Sequence, residues 1–220
     1  STAFGVSAGT ASRLAFAVQP SGAKAGVAIA PPVQIVAQDT LGNTATAFTG
    51  DVTVSLNANP GGSALSGTTV VAAVGGVATF SDLSLDRTAS GYTLAASAGG
   101  FSGVVSNPFA ILAGNVSTAT SAITVSAPTV ASGSSVTLTL RAKDAFGNNH
   151  PAGGLAVVFS VTGGGSTGTV SATTDHGDGT YTAAFTGSIA GTASTIGATI
   201  GGVTVTSTPP TVSVTPGPAS

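Results

Sequence analysis

The sequence predicts an all-β chain built as two antiparallel β-sandwiches in tandem, and three observations carry that expectation. A turn motif occurs twice: residues 37–43 read AQDTLGN and residues 142–148 read AKDAFGN, which sets Asp39 and Asp144 105 positions apart. Apolar residues alternate with Ser and Thr at a period of two, the pattern of a strand with one face in a core. Turn signals recur at roughly the 8 to 12 residue spacing of an all-β sandwich, and no stretch sustains a helical period. A 220-residue chain with a repeat near 105 gives two domains, each large enough to bury its own core.

Residues 1–11 alternate weakly at Phe4, Val6 and Ala8 and read either as a spare strand or as a leftover of something upstream. The first domain, residues 12–112, opens with Arg13, Leu14, Phe16 and Val18, read as an edge strand with a bulge. Beyond the break at Pro31 and Pro32, Val33, Ile35 and Ala37 alternate with Gln34, Val36 and Gln38. Val52, Val54 and Leu56 then face one way and Thr53 and Ser55 the other. Strands around 69–73, 77–80, 92–97 and 104–112 follow.

The second domain, residues 113–215, repeats the plan with strands at 123–126, 135–143, 156–161, 169–173, 180–185, 192–200 and 203–215. Val136, Leu138, Leu140 and Ala142 share one face, and Thr137, Thr139, Arg141 and Lys143 the other. GGF at 99–101 matches GGV at 201–203, and Asn107-Pro108 matches Pro209-Pro210 at the same offset of 102. Residues 216–220, PGPAS, end on the Ala-Ser pair that opens the first domain at Ala11-Ser12. They read either as a linker or as the start of a further repeat in a longer head-to-tail array.

Composition removes several function classes. Only 5% of residues are charged, against about 25% in an average soluble protein. Five Lys and Arg spread along the chain make no basic footprint for nucleic acid or for an anionic membrane surface. Mean hydropathy is +0.48, yet the most apolar run, residues 70–80, is about half of a membrane span and contains Gly75 and Gly76. Ser and Thr supply the polarity, as suits strands with a hydroxylated outer face. Without Cys there is no disulfide framework, zinc cluster or thiol chemistry. The absence of Met suggests that Ser1 is a mature or excised start.

Each chemical motif has a structural reading beside its functional one. In the two D-x-x-G-N turns, Asp39, Gly42 and Asn43 and then Asp144, Gly147 and Asn148 could present oxygens to Ca²⁺. Calcium takes about six to eight oxygens with several carboxylates, and each turn brings one. The structural reading needs less: the Asp caps backbone N–H groups, the Gly takes positive φ and the Asn supports the exit. Residues 175–181, DHGDGTY, resemble a calcium loop on which a metal would fall to Asp175 and Asp178, but the chain has no Glu to close it. A hairpin with Asp-Gly at its corner accounts for the same spacing.

His150 and His176, the only histidines, stand in separate loops without Cys or Glu nearby, which disfavours a zinc site or a triad. The few Asp residues sit at turns, so no acid–base pair emerges, and no G-x-S-x-G elbow occurs. No catalytic residue and no cofactor is therefore expected. An isopeptide crosslink would have to use Lys24 or Lys143. Tyr92, after Gly91, is placed to form a tyrosine corner, and the offset of 102 puts Ser194 there in the second domain. Residues 115–117 form a glycosylation sequon.

With these residues in view, the second domain resembles the bacterial immunoglobulin-like repeats of invasin and intimin, and filamin repeats, through AKDAFGNNHP, LAVVFSV and DHGDGTYTAAF. The first, from RLAFAVQPSG through AQDTLGN, is similar to Ig-like repeats found in tandem in long surface and secreted proteins. The resemblance implies an Ig-like sandwich in each half, an extracellular or bacterial cell-surface location, and a stalk, spacer or adhesive role. Neighbouring Ig-like repeats, copies of the chain and a host or cell-surface ligand are the implied partners. In one alternative, residues 3–8 or the last strand complete a neighbour's sheet and build a fibre.

Overall fold

Period-two alternation becomes strand in both halves of the computed structural model, which describes residues 7–101 and 103–217. Among these residues there is no helix, and so none long and apolar enough to cross a membrane. The chain divides into two compact units, Ser1–Leu112 and Ala113–Ser220. Phe4 and Val6 of the expected spare strand lie outside the described residues, and residues 7–12 carry no strand.

The first unit contains β1 (Arg13–Val18), β2 (Ala23–Lys24), β3 (Val33–Gln38), β4 (Asp51–Ala58), β5 (Leu65–Ser66), β6 (Val70–Ala72), β7 (Val77–Phe80), β8 (Ser84–Leu85), β9 (Ala89–Ala98), β10 (Val104–Val105) and β11 (Phe109–Leu112). One sheet runs β1-β3-β7, the other β2-β11-β9-β4-β6 with β10 beside β9, and β5 pairs β8 apart from both. Val33 and Ile35 of the first sheet meet Val52, Val54 and Leu94 of the second in one core with Phe80 and Tyr92. Val36, on the outward face of β3, is also buried, with Ala15 of β1 and Val77 of β7 beside it in the sheet. The edge strand β1 has its bulge between Phe16 and Val18.

The second unit contains β12 (Ala122–Val125), β13 (Thr129–Ala131), β14 (Ser135–Arg141), β15 (Val157–Thr162), β16 (Thr167–Val170), β17 (Thr174–Asp175), β18 (Thr180–Ile189), β19 (Ser194–Ile200), β20 (Val203–Thr204) and β21 (Thr211–Thr215). Its sheets are β12-β14-β18-β16 with β17 beside β18, and β13-β21-β19-β15 with β20 beside β19. Leu138, Leu140 and Ala142 face Ile196, Val212 and Val214 across a core that also takes Tyr181 and Phe185. Outward, Thr124, Thr139, Thr182 and Thr174 stand side by side across β12, β14, β18 and β17, an uncharged hydroxyl row.

Four features depart from the strand pattern read in the sequence. The sheets are not wholly antiparallel: β2 runs parallel to β11, and β13 parallel to β21. Each of these short strands comes early in its unit and closes onto the last. The long strand expected at 203–215 breaks into β20 and β21 around Pro209 and Pro210, which have no N–H to offer a ladder. The strand expected at 104–112 breaks at Ser106, whose hydroxyl accepts the Leu94 N–H at 2.9 Å. Finally, the four-residue β7 serves β3 alone, whereas the ten-residue β18 carries β14 on one side and β16 and β17 on the other.

Candidate functional site

Both D-x-x-G-N motifs leave the end of a central core strand, β3 or β14, and turn tightly around a buried carboxylate. In the first unit Asp39 Oδ1 accepts the N–H groups of Leu41 and Asn43, each at 2.9 Å, and Oδ2 accepts Asn43 Nδ2 at 3.1 Å. In the second unit Asp144 Oδ1 accepts from Phe146 and Asn148, again at 2.9 Å, and Oδ2 accepts Asn148 Nδ2 at 2.9 Å. The Gly42 N–H returns to the Asp39 carbonyl at 3.1 Å and the Gly147 N–H to Asp144 at 3.0 Å. Both glycines take φ values, +89° and +81°, that side-chain-bearing residues rarely adopt.

The remaining donor to each carboxylate comes from the chain segment that enters the unit. Gly9 N–H donates to Asp39 Oδ2 at 3.0 Å, and Gly114 N–H to Asp144 Oδ2 at 2.8 Å, each from 30 residues upstream. Three residues later Ser12 N–H bonds the Gln38 carbonyl at 2.7 Å, as Ser117 N–H bonds Lys143 at 2.8 Å. Sequence reasoning assigned the Asp residues to their turns and missed these two glycines. The available signal was a second motif, AGTAS at 8–12 and AGNVS at 113–117, repeated at the same 105-residue spacing.

The electrostatics follow from the donors. The Gly9 N–H, then the Asn43 side chain, hold the Asp39 carboxyl at a pKa of about 2, below its ordinary 3.8. Burial pushes Asp144 up, but the hydrogen bonds from Asn148, Gly114 and Phe146 outweigh it and leave the group below the usual range. Each carboxylate is thus an ionised acceptor with four protein donors around it.

Asp175 ends β17, and Asp178 lies in the hairpin that leads on to β18. Asp175 accepts the Gly154 N–H at 2.6 Å and the Gly177 N–H at 2.8 Å, and these two bonds lower its pKa. Asp178 accepts the Thr180 N–H at 2.9 Å and lies 3.5 Å from the Arg141 guanidinium. Their carboxylates fasten backbone, and among the described residues no group of three or more His, Cys, Asp or Glu side chains could hold a metal. His150 Nδ1 lies 3.1 Å from the Ala152 carbonyl oxygen and His176 Nε2 lies 2.8 Å from Thr182 Oγ1, so each ring has its own local partner.

Tyr92 is fully buried and its hydroxyl donates to the Arg87 carbonyl at 2.8 Å, which ties β9 to the connection before it. A Cβ at Gly61 would stand 2.1 Å from that hydroxyl, so the facing loop must be glycine. Ser194, at the equivalent place, puts its hydroxyl 2.7 Å from the carbonyl oxygens of both Gly163 and Ser166. An open trough of about 520 Å³ in the second unit lies over β15 and β19 among Ser160, Thr162, Thr195, Thr199 and Thr204, with no charge and no aromatic ring in its lining.

Residues 117–217 match the family model described as invasin, domain 3. That match covers nearly all of the second unit and a little under half of the chain. The chain as a whole is all-β, two β-sandwich units one after the other. No curated protein matches it. Similar solved structures include invasin, a bacterial integrin-binding protein, at 24% identity over 94% of this chain and 40% of that one, with a TM-score of 0.46. The Escherichia coli adhesin FdeC is 22% identical over 92% of this chain and 63% of its own, also at 0.46. InvD of Yersinia pseudotuberculosis is 24% identical over 93% and 57%, again at 0.46. The chain therefore spans between 40% and 63% of the length of these structures.

Proposed function

We propose that the chain is a non-catalytic spacer of a bacterial cell-surface or extracellular protein, in which tandem Ig-like units carry load along their antiparallel ladders. The observation that supports this most is the use of Asp39 and Asp144. The carboxylates a binding or catalytic site would need are spent on holding an entry segment to its own sandwich. The invasin-type match of the second unit supports placement at a surface. Neighbouring Ig-like repeats are then the permanent partners.

Sedimentation of the purified chain tests the proposal: a monomer is expected at micromolar concentration, with a coefficient unchanged by millimolar Ca²⁺. Polymers that vanish when residues 1–10 are deleted would replace the spacer with a strand-exchanging fibre subunit. The hydroxyl-lined trough over β15 and β19 favours a second reading, an adhesin module that binds an uncharged ligand such as a glycan. Saturable binding on a glycan or host-protein array, abolished by Thr199→Arg within that trough, would establish it over the spacer.

A further inference from the structure

The sheets of both units have open edges, and most of these edges are short. β7, β12 and β16 have four residues, β6 and β13 three, and β2 two. The longest edges among the described residues are β1 and β15, with six residues each. β1 carries Arg13 and a bulge, devices that keep an edge from pairing with another chain. β15 has neither: it pairs β19 residue for residue, from Val157↔Ile200 to Thr162↔Thr195, without a shift. It holds no Pro, and no Asp, Glu, Lys or Arg stands between Asp144 and Asp175.

The groups on this edge follow from the ladder. The Gly201 N–H bonds the Ala156 carbonyl at 2.8 Å, which makes that opposed pair a hydrogen-bonded one. By antiparallel alternation Val158, Ser160 and Thr162 then turn their N–H and C=O toward β19, and Val157, Phe159 and Val161 turn theirs to the open edge. Ala198 and Ile196, opposite Phe159 and Val161, accordingly bond Val205 and Pro210 on the far side of β19. Among the described residues no turn or loop bond reaches the open-edge groups. Val158, outward beside them, is 62% exposed.

We infer that β15 is a pairing edge for β15 of a second copy of this chain, antiparallel across a two-fold axis at Phe159. In that register Val157 opposes Val161 of the second copy, Phe159 its own counterpart, and Val161 opposes Val157, so each open-edge N–H and C=O finds a partner. A two-fold centred on Ser160 would instead send Val157 beyond the strand, to Gly163. Outward, Val158 stands against Ser160 of the second copy, with no charge on either side. The contact is isologous, so it closes at two copies and builds no fibre. A six-residue strand falls short of the roughly 1,000 Å² of a stable interface, so the pairing is weak in free solution and serves copies anchored side by side on one surface. For that setting the inference rests on the spacer reading.

The test is hydrogen exchange at single amides of the intact chain between roughly 20 µM and 2 mM. Val157, Phe159 and Val161 are expected to slow by at least about threefold as concentration rises, while Val158 and Ser160, already bonded to β19, stay constant. Ser160→Lys, at an exposed position outside the core, should keep the dispersed amide spectrum and remove the concentration dependence. Because the chain has no Cys, cross-linking reads the register. A mixture of Val158→Cys and Ser160→Cys chains should form the mixed disulfide at least roughly fivefold faster than either variant joins to itself, and equal rates overturn the two-fold register. Exchange at Val157, Phe159 and Val161 that is independent of concentration overturns the inference. So does a concentration dependence that disappears on deleting residues 1–10, because the occupant of the edge is then the N-terminal segment of another copy. The sedimentation test of the spacer is run at micromolar concentration, where this pairing is absent, so either reading can fail alone.

Discussion

Asp144 is 1% exposed and accepts four N–H donors, from Phe146, from Gly114 and from the backbone and side chain of Asn148. Asp144→Ala would leave these donors facing a small void, and we expect a loss of roughly 3 kcal/mol in urea unfolding of the second unit. Asp39 is one of several carboxyls held below their ordinary pKa that contribute to the pH dependence. Its folded pKa of about 2 lies below the ordinary 3.8, so its contribution to stability is complete above about pH 4 and is lost as pH falls toward 2. Unfolding curves between pH 5 and pH 2 should therefore show a steeper fall for the native protein than for Asp39→Asn. The Asp, Gly and Asn of each turn stood out in the sequence because they recur together. Gly9 and Gly114 did not, because each acts through its backbone amide on an acceptor 30 residues away and offers no side chain to notice.

At the scale of elements, the strands with strict alternation were visible in advance, such as Val52 and Val54 in β4 and Val136, Leu138 and Leu140 in β14. The parallel strands β2 and β13 were not, since two or three residues hold too little of a period to register. The breaks at Ser106 and at Pro209-Pro210 lay inside runs that read as continuous. The hairpin before β18 depends on Gly179, which has φ +81° and would bring a Cβ to 2.0 Å from the His150 carbonyl oxygen. Gly179→Ala should cost more than the roughly 1 kcal/mol of the positive φ alone, about 2 to 3 kcal/mol in equilibrium unfolding, with backbone displaced at His150. Tyr92→Phe keeps the ring in the core and removes only the bond to the Arg87 carbonyl, and should cost about 1 kcal/mol by the same measurement.

Across the molecule the two units bury separate cores, one around Ile35, Phe80 and Leu94 and the other around Leu138, Phe185 and Ile196. Residues 113–217 expressed alone should therefore unfold in a single cooperative transition, read by circular dichroism. The tandem all-β plan was readable because each half repeats the same turn and the same strand alternation. The joint was not, because it is made of main-chain bonds from an entry segment to a turn in its own unit. Both turns hold their entry segments through a carboxylate, and hydrogen exchange at the Gly9 and Gly114 amides reads those anchors. Each amide should be protected by roughly tenfold or more, unaffected by Ca²⁺, with Gly9 accelerating in Asp39→Asn and Gly114 in Asp144→Asn. Exchange at the rate of an unstructured chain, or Ca²⁺ titration that shifts the Asp39 or Asp144 resonances, would contradict this.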